Sequence, residues 1–196
     1  MNPSFSVIIP AAGASSRMGT MKALLEHSPG KNFAEFITDG YKSIGCNPIV
    51  LVVSQTGLSN NTVPKGCEAV VNHHVHLGRS HSIQLGLSRI PAGNACFIHN
   101  IDNPFLEGAL LEMLKGKLEP DGYVVPVFNG RGGHPVLMGS DVVAHLKGLE
   151  QLDDFKKEIA IFSRIDLVYP DQKICWNINT PEDYRMFMIC MTTSPG

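Results

Sequence analysis

The chain has 196 residues, 43% hydrophobic and 17% charged, enough for one domain with a sizeable core and too apolar for a disordered chain. Sixteen Lys and Arg against 18 Asp and Glu give a net charge of −2, without the basic excess of a typical nucleic-acid binder. The apolar runs, such as Ile49 to Val53, are too short to span a bilayer. Met1 to Ser6 carries no basic flank before its apolar run and does not read as a secretory leader. Cys46, Cys67, Cys96, Cys175 and Cys190 are odd in number and contain no CxxC pair. That argues against a disulfide framework or a zinc ribbon, and for buried thiols in a reduced, cytoplasmic compartment.

Short β-branched runs alternate with amphipathic stretches. Phe5 to Pro10 reads as a strand, and a Gly/Ser-rich loop follows from Ala11 to Thr20. Phe33, Phe36, Ile37, Tyr41 and Ile44 share one helix face, with Gly45 as the stop. Pro48 to Ser54 is apolar on both faces, as expected in a parallel sheet covered on both sides. Residues 55–66 read as a loop and Glu68 to Asn72 as a short strand. Ser80 is placed to cap a helix carrying Ile83, Leu87 and Ile90. Ala95 to Ile101 is a buried strand ending in Asp102, and Phe105 to Leu118 is helical.

Tyr123 to Phe128 and His134 to Met138 flank a Gly-rich turn. Helices at Asp141 to Leu149 and Asp153 to Ile161 follow, then strands at Ile165 to Tyr169 and Ile174 to Ile178. The last helix starts at Pro181, with Thr180 as its cap and Asp183 at the third position. The order implies one three-layer α/β domain over residues 1–196 with a mostly parallel sheet. Ligands bind such sheets beyond the carboxyl ends of the strands, where the first loop and Asp102 lie.

The residues from Ile9 to Lys22 carry the strongest chemical signal. Small side chains let backbone amides approach an anion, and Arg17 and Lys22 add a forked and a compact cation suited to phosphate oxygens. Gly13 and Gly19 are six apart, so this is neither a Walker loop nor GxGxxG. An ordinary strand-to-helix turn with surface cations has the same spacing. Asp102, before Asn103-Pro104, suits either a turn or a cation ligand. His73, His74, His76 and His81 cluster in sequence, with solvated loop positions favoured over a metal site.

The segment Pro10-Ala11-Ala12-Gly13 through Ser15, Arg17-Met18-Gly19 and Lys22 resembles the N-terminal signature of the MobA-like NTP-transferase family. Four further segments resemble that family in the same order. They are Gly78-Arg79-Ser80-His81-Ser82, Ile101-Asp102-Asn103-Pro104-Phe105, Gly130 to Val136, and Asn177-Ile178-Asn179-Thr180-Pro181-Glu182-Asp183.

The resemblance implies a Rossmann-like, glycosyltransferase-A-type nucleotide-diphospho-sugar transferase fold with a mostly parallel mixed sheet. It implies transfer of a nucleoside monophosphate from an NTP to a small phosphorylated acceptor such as molybdopterin, with loss of pyrophosphate. Arg17, Lys22 and Asp102 would be catalytic. Ala11, Ala12, Gly13, Gly19, Ser80 and Ser82 would join Arg17 and Lys22 around the nucleotide, and Gly133, His134 and Pro135 would shape the acceptor pocket. Mg²⁺ would sit on Asp102 and Asn179. A molybdoenzyme is a further expected partner, with no nucleic acid and no membrane.

Two cues conflict on the nucleotide. Asn177 and Asn179 replace a frequent acidic pair and resemble guanylyl members, whereas Pro10-Ala11-Ala12-Gly13 resembles cytidylyl members. The loop lies nearer the nucleotide, so CTP is favoured over GTP. Arg79 replaces a usual Met. The alternatives are a sugar- or polyol-phosphate nucleotidyltransferase, or a catalytically weak nucleotide- or cofactor-binding accessory module.

Overall fold

A computed structural model describes residues 4–193, so the Met1–Ser6 stretch and both ends of the expected 1–196 domain lie partly outside the described residues. Strand β1 (Phe5–Pro10) is followed by a hairpin of β2 (Glu26–Ser28) and β3 (Lys31–Asn32), and by helix α1 (Phe33–Ser43). Then come β4 (Ile49–Val53), α2 (Gln55–Ser59), β5 (Glu68–Val71), α3 (Gly78–Leu87) and β6 (Ala95–Ile98). After α4 (Gly108–Lys115) the chain forms β7 (Gly122–Phe128), β8 (Arg131–Gly132) and β9 (Val136–Met138). Helices α5 (Ser140–Gly148) and α6 (Phe155–Ile159), strand β10 (Ser163–Val168) and helix α7 (Pro181–Thr193) complete it.

The main sheet runs β10-β7-β9-β6-β1-β4-β5, with β8 added to β7. β6, β1, β4 and β5 are parallel, with Val7 opposite both Ile49 and Phe97. β9 is antiparallel to β6 and β7, while β10 is parallel to β7. Successive side chains of a strand point to opposite faces. Val7 and Ile9 therefore enter one core with Phe33, Tyr41, Leu111 and Phe187 of α1, α4 and α7. Ile8 enters the other with Ile83, Val142, Leu146 and Phe155 of α3, α5 and α6. These are the three layers that the sequence predicts.

Several local expectations need correction. Residues 55–66 are not all loop: Ser54 Oγ accepts the Gly57 N–H at 3.1 Å and caps α2. Ser80 is not the cap of α3, which begins at Gly78, where φ is +81°. Residues 105–107 stay outside α4. Ile174 to Ile178 is no strand but a 3-10 turn over Gln172–Cys175 and an extended run outside the sheet. Asn103 Nδ2 donates to the carbonyls of Lys173, Ile174 and Trp176 at 3.0, 3.2 and 2.9 Å, and this side-chain contact, rather than a strand ladder, holds the segment. At Asn179 and Thr180 the expected cap is present: both backbone N–H groups donate to Asp183 Oδ2 at 2.9 Å, and Asp183 N–H returns to Thr180 Oγ1 at 3.2 Å.

Helix α3 lies close to β1 because Gly86 has no side chain. A Cβ at that position would stand 2.5 Å from Ile8 Cγ2. Ile8 is fully buried and β-branched, so it has little freedom to yield. Gly86→Ala is expected to lower stability by about 1–3 kcal/mol, read as a lower urea midpoint at an unchanged slope. An unchanged midpoint would show that α3 can move away from the sheet freely.

Candidate active site

Beyond the carboxyl ends of β1, β4 and β6 lies a cleft of about 510 Å³. Its lining includes Ala11 to Ser15 and Lys22 from the first loop, Arg79 and Ser82 from α3, and Asn100 and Asp102 from the chain after β6. Ala11 N–H donates to Val52 O at 2.7 Å and fixes the loop to β4. Ser15 takes φ +50° and Gly19 φ +75°, and the amides of Met18 and Gly19 both donate to Ser15 O, at 2.9 and 3.0 Å. Buried Met18 holds the turn against the core. The amides of Gly13, Ala14 and Ser15 make no hydrogen bond among the described residues. Successive free N–H groups beside small side chains form a concavity suited to anions.

Lys22 is the junction of the site. Its Nζ donates to Asn179 Oδ1 at 2.8 Å and stands 3.4 Å from Asp102 Oδ2. Arg17 Nη2 reaches the same Asn179 oxygen at 3.5 Å. The Lys22 and Asp102 side chains are only 13% and 21% exposed, so this contact is screened less than a surface ion pair. Asp102 is also tied through its backbone, because Ile178 N–H donates to Asp102 O at 2.6 Å. The other carboxylate oxygen, Asp102 Oδ1, is sealed from solvent and has no partner. A buried carboxylate oxygen without a donor is poised for an ion or a bound donor. The Asn179 backbone N–H above all, with the Thr180 hydroxyl and N–H, holds the Asp183 carboxyl below the usual carboxylate range.

The expected residues are only partly assembled. Ala11, Ala12, Gly13, Lys22, Ser82 and Asp102 line the cleft. Arg17 and Gly19 are exposed on the same loop, with Arg17 turned to Asn179. Ser82 Oγ is buried and accepts from Asn72 Nδ2 at 2.9 Å. Ser80 lies away from the cleft, its Oγ accepting the Phe155 N–H at 3.1 Å. Gly133, His134 and Pro135 stand behind Asn100 rather than in the cleft lining. A Cβ on Gly133 would meet Ile174 O at 2.5 Å, and His134 N–H donates to that carbonyl at 2.9 Å. His134 thus bears on the cleft through the 2.9 Å contact of its Nε2 with Asn100 Nδ2. Among the described residues no group of three or more His, Cys, Asp or Glu is placed to hold a metal, the His73–His81 cluster included.

Sequence reasoning missed Ser54, Thr56 and Gly57, which bring α2 to the cleft, and Asn100. Ser54 gave a signal, since it stands at the carboxyl end of a central strand.

A three-layer α/β domain with a loop of free backbone amides beyond its first strand is an architecture shared by nucleotide-binding proteins. Residues 7–165 match the MobA-like NTP transferase domain, and the chain belongs to that family of nucleotidyltransferases. It is 24% identical to the molybdenum cofactor cytidylyltransferase of Escherichia coli K12 over 90% of this chain and 92% of that one. It is 28% identical to a probable molybdenum cofactor guanylyltransferase of Natranaerobius thermophilus, over 93% and 94%. The crystal structure of Rv0371c from Mycobacterium tuberculosis H37Rv shares the fold, with a TM-score of 0.80 at 19% identity over 96% of this chain and 99% of that chain.

The buried imidazoles of His27 and His99 and the half-buried one of His134 make the fold sensitive to acid. Burial lowers His27 and His99 to about 4, and burial, then the charge of Arg79, lowers His134 to about 3. His99 Nε2 lies 2.7 Å from Asn103 O and its Nδ1 2.9 Å from the Tyr41 hydroxyl, and His27 Nε2 contacts Pro104 O at 3.1 Å. Below pH 6.5 the unfolded chain takes up protons that the folded chain refuses until pH falls to about 4. Their contribution is therefore complete above pH 6.5 and lost as the pH falls toward 4. Thermal melts should show a midpoint that drops steadily across this window, and a flat midpoint would place these rings in contact with water.

Proposed function

We propose that the protein transfers a cytidylyl group from CTP, in preference to GTP, to a phosphorylated acceptor of the molybdopterin type, with Mg²⁺ as cofactor. The carrying observation is Lys22, held by Asp102 and Asn179 at the edge of a cleft whose loop offers free amides. The cytidylyl preference draws on the Pro10-Ala11-Ala12-Gly13 loop, and the acceptor on the names of the two sequence relatives. A cytoplasmic location and delivery of the product to a molybdoenzyme belong to the same reading.

An acceptor phosphate oxygen attacks the α-phosphorus of the NTP, and the bond to pyrophosphate breaks. No protein nucleophile is needed, so the protein's task is to position and neutralise charge. The loop amides and Lys22 receive the triphosphate, and Arg17 adds a second cation from the same loop. Asn179 holds Lys22 at the cleft and Arg17, outside its lining, beside Lys22. Its amide oxygen already accepts from both, so it can face a metal only when Lys22 has moved to phosphate.

Asp102 fits Mg²⁺ through its sealed, unpartnered Oδ1. A single carboxylate suits an ion that keeps several of its waters. When bound, Mg²⁺ would neutralise charge on the phosphates.

The test is pyrophosphate release with CTP or GTP, molybdopterin and Mg²⁺. Release should require all three, be faster with CTP, and fall by roughly 100-fold or more in Asp102→Asn, equivalent to about 2.7 kcal/mol. Nucleotide affinity measured without metal should survive that substitution. Nucleotide binding without any turnover would instead favour an accessory binding module, the reading suggested by Asn177 and Asn179 in place of carboxylates.

A further inference from the structure

Arg79 is a cation without a counter-ion. It is the second residue of α3 and lines the same cleft as Lys22 and Asp102. Among the described residues it forms no salt bridge and no hydrogen bond, and its Nε is sealed from solvent. Asp102 is near enough to favour the charged guanidinium but does not pair with it, and burial acts in the opposite direction. Arg79 is half-buried, and a partly desolvated charge left without an acceptor opposes folding, so its presence needs another explanation.

The side chain is nonetheless held in place. Its guanidinium carbon lies 5.6 Å from the Phe155 ring centroid. Phe155 is itself fixed, because its N–H donates to Ser80 Oγ at 3.1 Å. The neighbouring residues Ser80 and Arg79 thus clamp the start of α6 through a hydrogen bond and a cation–π contact. A preorganised fork of N–H donors with no acceptor in the protein is matched to a phosphate.

We infer that Arg79 forms a second anion subsite in the cleft, separate from Lys22, and that it takes the phosphate of the incoming acceptor. The assignment to the acceptor rests on the transferase reading above. That reaction brings two anions together, so each needs its own cation. The triphosphate has the loop amides, Lys22 and Arg17. Arg79 shares no hydrogen bond with that group and comes from a different element. Arg79 also borders a shallower depression of about 300 Å³, where Asp153 and Asp154 offset Arg79 and Lys156, whereas the cleft sets only Asp102 against Arg79 and Lys22. The phosphate therefore belongs on the cleft side.

The experiment is a ³¹P NMR titration with inorganic phosphate as the probe. Wild type, Arg79→Met and Arg79→Lys are compared with and without a saturating α,β-methylene analogue of CTP and Mg²⁺. Wild type should bind phosphate with the analogue in place. Arg79→Met should weaken phosphate by about tenfold or more, with analogue affinity unchanged within about twofold, and Arg79→Lys should recover part of the loss. Phosphate affinity equal in all three proteins overturns the inference, and so does absence of phosphate binding in wild type. Expulsion of phosphate by the analogue, with Arg79→Met weakening the analogue instead, assigns Arg79 to the triphosphate and also overturns it. Loss of fold in both variants makes Arg79 a packing residue, with the same consequence. A wild type that holds phosphate through Arg79 but binds neither the CTP analogue nor its GTP counterpart contradicts the transferase reading and leaves the anion subsite standing.

Discussion

The Lys22 ammonium holds together segments that are far apart in sequence. Asp102 is 80 residues away and Asn179 is 157 residues away, yet both oxygens converge on Nζ. The contact ties the loop after β1, the chain after β6 and the entry to α7. A compact ammonium with three donors suits such a junction. It also keeps one cation and one carboxylate in the lining of the cleft. The exposed loop is otherwise held by the Ala11 N–H on Val52 O, its backbone turn, the buried Met18 and the longer Arg17–Asn179 contact.

The rest of the fold brings these segments to one place. The parallel strands β1 and β6 are paired side by side and end at the same edge of the sheet. Asn103, next to Asp102, is fully buried and gathers three carbonyls of the segment 173–176. His99 braces that residue through Asn103 O and is itself braced by Tyr41 of α1. Asp102 therefore rests on a chain of buried polar contacts reaching into the core. Such networks rigidify a site through the members that are satisfied, here the Asn103 amide nitrogen and backbone carbonyl, while Asn103 Oδ1 has no partner.

Much of this was legible in the sequence. The β-α alternation gave the layers, and the first loop and Asp102 were marked as residues that line the cleft, although β6 stops at Ile98 and Asp102 follows in a turn rather than ending a strand that runs to Ile101. The Thr180 to Asp183 cap was also readable, because capping is local chemistry. What escaped depended on distant partners. Ile174 to Ile178 has the alternation of a strand, but its Ile174 and Trp176 carbonyls accept from the Asn103 side chain, about 70 residues earlier. His134 follows a turn in a loop-like motif, yet its neighbours pack it behind Asn100. Helix α2 and the β2–β3 hairpin have elements of five, three and two residues, too short to show a period. Arg79 could be noticed as an unusual residue, but only packing against Phe155 gives its charge a fixed position.

The central claim is that Lys22 serves the triphosphate while its partners serve to aim it. The direct test is calorimetric titration of Lys22→Met with CTP, alongside thermal melting of the ligand-free protein. The account predicts at least about a tenfold loss of CTP affinity, near 1.4 kcal/mol, with a melting temperature displaced by only a few degrees. CTP affinity equal to that of wild type in a folded Lys22→Met protein would contradict it, and Lys22 would then be no more than a structural tie between the loop and Asp102.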